Sequence, residues 1–251
     1  MARNVAAGLS RHQDRRICAP PAVASAYMDA PLMIRTDDGL TLEGERRLVD
    51  AEIPTRCAAV LCHPHPSFGG TMRSLVISPL FQALPKIGVD CLRFNFRGVE
   101  ASQGSFGDGI GERLDVEAAI ATHRSLVGAD IALVVIGFSF GADLALATER
   151  ADIAGWCAIA PPLRFCSDAD LARRANDVRP TSIVLGALDD IRDPSYVADQ
   201  FNGAPAVAVT IIPGASHFFV GRDAQMIQAV SEFIDQAAPT HPHPHPHPNV
   251  H

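Results

Sequence analysis

The chain has 251 residues, 47% of them hydrophobic, enough to bury one large core as a single domain. A formal charge of -7 with no Lys/Arg cluster argues against a nucleic-acid or anionic-membrane surface, both of which need concentrated positive charge. Small neutral or mildly charged ligands fit better, and no apolar stretch is long and clean enough to span a bilayer.

In residues 1–30, Arg15-Arg16 precede a weakly apolar run that imitates an export signal, but Pro20 and Pro21 interrupt the helix such a signal needs. A loosely ordered extension is expected there. From 31 to 238 the text alternates strands and helices, the pattern of an α/β domain with a mostly parallel sheet covered on both faces. Leu32–Thr36 and Leu40–Glu45 flank the turn Asp37-Asp38-Gly39 and read as an antiparallel hairpin. A strand at Ala58–Cys62 leads into the loop His63–Gly70, and a helix is predicted from Met72 to Leu84. Val89–Asn95 is the next strand. It enters a glycine-rich loop, Arg97 to Gly111, followed by a helix over Glu112–Ser125 with Leu114, Ala118 and Ala121 on its apolar stripe. The segment Gly107-Asp108-Gly109-Ile110-Gly111 lacks the spacing of a nucleotide-binding loop and suits a rim near the site.

Strands are further predicted at Ile131–Ile136, Gly155–Ala160, Ser182–Gly186 and Ala206–Ile212, and a last helix at Ala224–Ala237 turns Met226, Val230 and Phe233 to the sheet. About twenty residues separate the strands at 155–160 and 182–186, too few for a lid domain, so the pocket should be open. Residues 239–251 hold His241-Pro242 through His247-Pro248, where every second residue lacks an amide proton, so a disordered tail is expected. Weak nickel, copper or zinc binding by those histidines is the alternative. The six cysteines contain no C-x-x-C, and Cys62, Cys91 and Cys157 sit in apolar runs, which favours a reducing compartment such as the cytoplasm.

Gly137-Phe138-Ser139-Phe140-Gly141 stands between an apolar strand and a helix-prone run. A serine on so sharp a strand-to-helix turn is lifted clear of the sheet edge, where a base and a carbonyl carbon can reach it. A hydroxyl is a poor nucleophile at neutral pH and needs a histidine to take its proton and a carboxylate to orient that histidine. Asp189 after one strand and His217 after the last complete the order Ser, Asp, His, each beyond the carboxyl end of a strand. Asp190 offers a competing carboxylate; Asp189 is preferred because it lies nearer the strand end. The Phe140 amide supplies one donor to a developing oxyanion. The His65 amide is the second candidate, with Ser67 or Phe68 in reserve, since neither Pro64 nor Pro66 can donate; alternatively this loop only shapes the pocket wall. Phe68, Phe106, Phe138, Phe140 and Phe218 hint at an apolar pocket.

Leu61-Cys62-His63-Pro64-His65-Pro66 with Gly69-Gly70-Thr71-Met72, Arg93–Gly98 and Gly214–Phe219 together resemble a group of small lidless α/β-hydrolases, described as esterase-like or dienelactone-hydrolase-like, over about Leu32 to Phe233. The resemblance implies an α/β-hydrolase fold and a small acyl substrate. Members of the dienelactone branch carry cysteine at the sharp turn; Ser139 stands here, so that lactone chemistry does not transfer. The expected reaction is cleavage of an ester or related acyl bond through an acyl-Ser139 intermediate, with no cofactor. Two other readings compete: a metal-dependent hydrolase using His63, His65 and His217 with Asp189, and a non-catalytic binding protein on a hydrolase fold.

Overall fold

The computed structural model describes residues 30–239. The N-terminal extension and the His-Pro tail, with the expectations attached to them, lie outside the described residues. Eight strands form one sheet in the order β1-β2-β4-β3-β5-β6-β7-β8: β1 (Ala30–Arg35), β2 (Thr41–Arg47), β3 (Cys57–Cys62), β4 (Val89–Phe94), β5 (Ala132–Phe138), β6 (Gly155–Ile159), β7 (Thr181–Gly186) and β8 (Val207–Ile212). β1 and β2 are the expected hairpin, and β2 joins β4 antiparallel; from β4 to β8 every pairing is parallel.

The central strands are buried on both faces, which is why they read as unbroken apolar runs rather than alternating ones. Along β3, Cys57, Ala59 and Leu61 face a core shared with α1 (Ile77–Ala83) and α6 (Asp223–Ala237), while Ala58, Val60 and Cys62 face α2 (Gly111–Val127) and α3 (Phe140–Ala147). On α6, Met226, Val230 and Phe233 are buried as expected. The β6–β7 connection holds α4 (Asp168–Ala175) as its one α-helix, closed at its start by a reciprocal Ser167/Asp170 cap, so among the described residues no lid covers the sheet edge.

Three sequence expectations need correction. The helix predicted from Met72 begins only at Ile77, because the Met72 amide donates to the Asn95 side chain and Ser74 Oγ takes the Thr71 amide, holding that stretch in turns. On α2 the stripe is partly misplaced: Ala118 is buried as expected, but Leu114 and Ala121 are exposed, and the rest of the buried face is Glu112, Asp115, Val116, Ala119, Ile120 and His123. Polar anchors set that rotation. Glu112 accepts the Gly107 and Gly109 amides, Asp115 pairs with Arg97, and His123 meets Asp90. A short helix, α5 (Pro194–Asp199), was not foreseen; the Asp193 side chain caps it by accepting the Ser195 amide.

Candidate active site

The turn between β5 and α3 places Ser139 at φ 55°, ψ -119°, a conformation that costs a non-glycine residue about 1–3 kcal/mol and persists only where its surroundings enforce it. Those surroundings are packed backbone. A Cβ on Gly137 would stand 2.1 Å from the Gly141 carbonyl oxygen, and one on Gly141 would stand 2.4 Å from that of Cys62. The Ser139 amide donates to the Ile159 carbonyl at 2.8 Å, tying the turn to β6.

Ser139, His217 and Asp189 lie in one hydrogen-bonded line. Ser139 Oγ is 3.0 Å from His217 Nε2, and His217 Nδ1 is 2.8 Å from Asp189 Oδ2. An ionised carboxylate only accepts, so Nδ1 carries the proton and Nε2 is left to accept the serine hydroxyl. Asp189 is the acid that reaches the imidazole, and Asp190 points to solvent. Burial opposes charge on Asp189. The His217 ring and the Ile191 and Arg192 amides outweigh it, and the carboxyl is held below its ordinary range.

The His63–Gly70 loop forms the facing wall. His63 is fully buried, its Nδ1–H donating to the Pro64 carbonyl at 2.6 Å while the Phe96 N–H donates to its Nε2 at 3.0 Å. Burial drives its pKa down to about 3 against the opposing Pro64 bond, so the ring is neutral. With both nitrogens engaged it has no lone pair to give a metal, and His217 is likewise occupied at both. The metal-site reading built on His63, His65 and His217 therefore finds no converging ligand set; among the described residues no cluster of three or more His, Cys, Asp or Glu side chains is placed to hold an ion. The His65 ring packs on Phe68, Phe106, Phe140 and Phe165, and its Nδ1 accepts the Ser67 amide. The Phe68 amide donates to the His65 carbonyl, so both reserve donors are spent inside the loop.

A cavity of about 690 Å³ opens over Ser139 and His217. Phe68, Phe138, Phe140 and Phe218 line it as the sequence suggested, but Phe106 does not; it lies behind, against His65 and Phe140. Phe165, which the sequence did not single out, takes a place in the wall.

No protein-family model matches the sequence. The chain is 32% identical over 198 residues to the uncharacterised protein RP471 of Rickettsia prowazekii, covering 76% of this chain and 83% of that one. Among solved structures it is similar to an alpha-beta serine hydrolase homologue from Coxiella burnetii, at 30% identity and a TM-score of 0.73, over 83% of this chain and 99% of the other. It is also similar to XC6422 from Xanthomonas campestris, a serine hydrolase without a lid, at 29% identity and a TM-score of 0.74, over 85% and 97% of the two chains. The chain belongs to the lidless α/β serine hydrolases.

Within this lidless hydrolase the motifs that carried the resemblance interlock. Asn95 binds the Met72 amide, Phe96 binds His63, and Arg93 pairs with Glu45 while stacking on Phe81. One organising residue escaped the sequence reading. Asp143, on α3, is buried and accepts the amides of Leu163, Arg164 and Phe165 at 2.9, 2.7 and 2.9 Å, fixing the loop after β6 that forms the far wall of the cavity. Its only local signal was an aspartate inside an apolar helix, where a charge needs partners.

Proposed function

We propose that this hydrolase cleaves a carboxylic ester of a small molecule through a covalent acyl-Ser139 intermediate. The observation that carries this is the Ser139–His217–Asp189 line, with contacts of 3.0 and 2.8 Å beneath an apolar cavity. His217 Nε2 takes the proton from Ser139 Oγ as the oxygen attacks the carbonyl carbon, and Asp189 holds the imidazolium. The Phe140 amide, the first of α3 and so without an intrahelical acceptor, and the His65 amide stabilise the tetrahedral oxyanion. His217 then gives its proton to the departing alkoxide, and the alcohol leaves. Water attacks the acyl-serine, its proton passing to His217 and on to Ser139 Oγ as the acid is released.

Support for His65 as donor comes from its neighbours: the Ser67 and Phe68 amides are used within the loop. The described cysteines are all free thiols, Cys57, Cys62, Cys91 and Cys157 buried, in keeping with a reducing compartment, and we place the enzyme in the cytoplasm. No helix among the described residues is long and apolar enough to cross a membrane.

The test is turnover of p-nitrophenyl acetate together with labelling by a fluorophosphonate. Wild-type protein should hydrolyse the ester and be labelled at Ser139, and Ser139→Ala should lose both. An undiminished rate in Ser139→Ala would remove the mechanism.

A further inference from the structure

The residues that line the cavity over Ser139 include two arginines, Arg73 and Arg164, and no Asp or Glu. The two arginines are not equivalent. Arg73 is ion-paired with Glu45 and with Glu100 at 2.9 Å, with Glu43 at 3.8 Å, so its charge is answered within the protein. The exposed Arg164 side chain makes no hydrogen bond or ion pair with any described residue.

The backbone that carries it is fixed. The Leu163, Arg164 and Phe165 amides converge on Asp143, and Arg192 Nε donates to the Pro162 carbonyl at 2.7 Å on the other side of the same loop. Asp143 belongs to α3, the helix that starts beside Ser139, so a single rigid element sets both the reactive oxygen and the root of the cation. Phe140, Phe165, Ile191 and Phe218 share the cavity lining with Arg164. A guanidinium fork fits a planar carboxylate with two parallel N–H donors, and such charge-assisted hydrogen bonds are stronger than neutral ones.

We infer that Arg164 is a specificity residue that receives a carboxylate carried by the substrate, which makes the preferred substrates half-esters of dicarboxylic acids or esters of hydroxy acids with an apolar spacer. This rests on the ester reading above, and deepens it.

The experiment compares kcat/KM within two matched pairs on the full chain. The acyl-side pair is p-nitrophenyl hydrogen suberate against p-nitrophenyl octanoate; the alcohol-side pair is 8-acetoxyoctanoate against octyl acetate, followed by acid release. In at least one pair the anionic ester should be favoured about tenfold or more, as expected of a hydrogen bond to a charged group. Arg164→Gln should shrink that ratio about tenfold, and Arg164→Glu should turn the preference toward the 8-aminooctanoate ester, a gain that mere loosening of the loop cannot produce. Added salt should compress the wild-type ratio. Turnover of the neutral esters with no anion preference in either pair, or the same ratio in wild type and Arg164→Gln, overturns this inference alone. Failure to turn over any ester, with no fluorophosphonate labelling, removes the ester reading and this inference together.

Discussion

Asp143 accepts the backbone N–H of Arg164 at 2.7 Å, joining the helix that begins beside Ser139 to the loop on the far side of the cavity. Burial pushes the Asp143 carboxyl up to about 6 even though three amides favour its charge. The folded protein therefore holds this proton to higher pH than the unfolded chain, and stability from this group falls as pH rises from about 4 through 6, by up to about 3 kcal/mol. Asp143→Asn should cost about 1–3 kcal/mol at pH 5, through loss of acceptors for three amides. The deficit should narrow at pH 7.5. Urea unfolding of both proteins at the two pH values measures this, and a deficit that grows with pH contradicts the assignment.

His63 pulls the other way. Its pKa, lowered by burial to about 3, means that the unfolded chain binds the proton first on acidification, so its contribution is complete above about pH 6.5 and is lost as pH falls toward 3. His63→Ala should destabilise by about 2–4 kcal/mol, since it leaves a cavity and an unpaired Phe96 amide. Dialysis of wild-type protein against a chelator should leave esterase activity unchanged, because both ring nitrogens already serve the protein.

The two neighbouring aspartates should separate cleanly in kinetics. Asp189→Asn keeps the shape but favours the wrong imidazole tautomer, and kcat should drop about 10³- to 10⁴-fold. Asp190→Asn should stay within about twofold, as expected of an exposed side chain. Equal losses in the two variants would refute the pairing seen between Asp189 and His217.

Glycines in the fold fall into two kinds that mutation should distinguish. Gly137→Ala drives a methyl into the Gly141 carbonyl and should cost at least about 3 kcal/mol. Gly39→Ala, at φ +88° in the β1–β2 turn with open space around it, should cost only about 1–2 kcal/mol of backbone strain. Thermal unfolding followed by circular dichroism ranks the two.

What was legible in the sequence follows from what is local. Strands buried on both faces announce themselves as apolar runs, and Ser139, Asp189 and His217 stand just beyond strand ends, so their chain order and type were readable without coordinates. The rotation of α2 was not, because Glu112, Asp115 and His123 face inward to partners 3 to 33 residues away, and polar residues on a helix read by default as its outer side. Arg164 and Asp143 were invisible for the same reason. Their meaning lies in an unpaired charge and in a long-range clamp, neither of which has a periodicity.

The β6–β7 connection, with α4 as its only α-helix, has a kinetic corollary. Among the described residues nothing is hinged above the mouth, so on the proposed mechanism water reaches acyl-Ser139 through the open cavity and neither entry nor exit waits on a gating motion. Such an enzyme should show no interfacial activation: its rate on a longer-chain ester should pass through the critical micelle concentration without a jump, unlike that of a hydrolase whose cap must first swing aside on an oil surface.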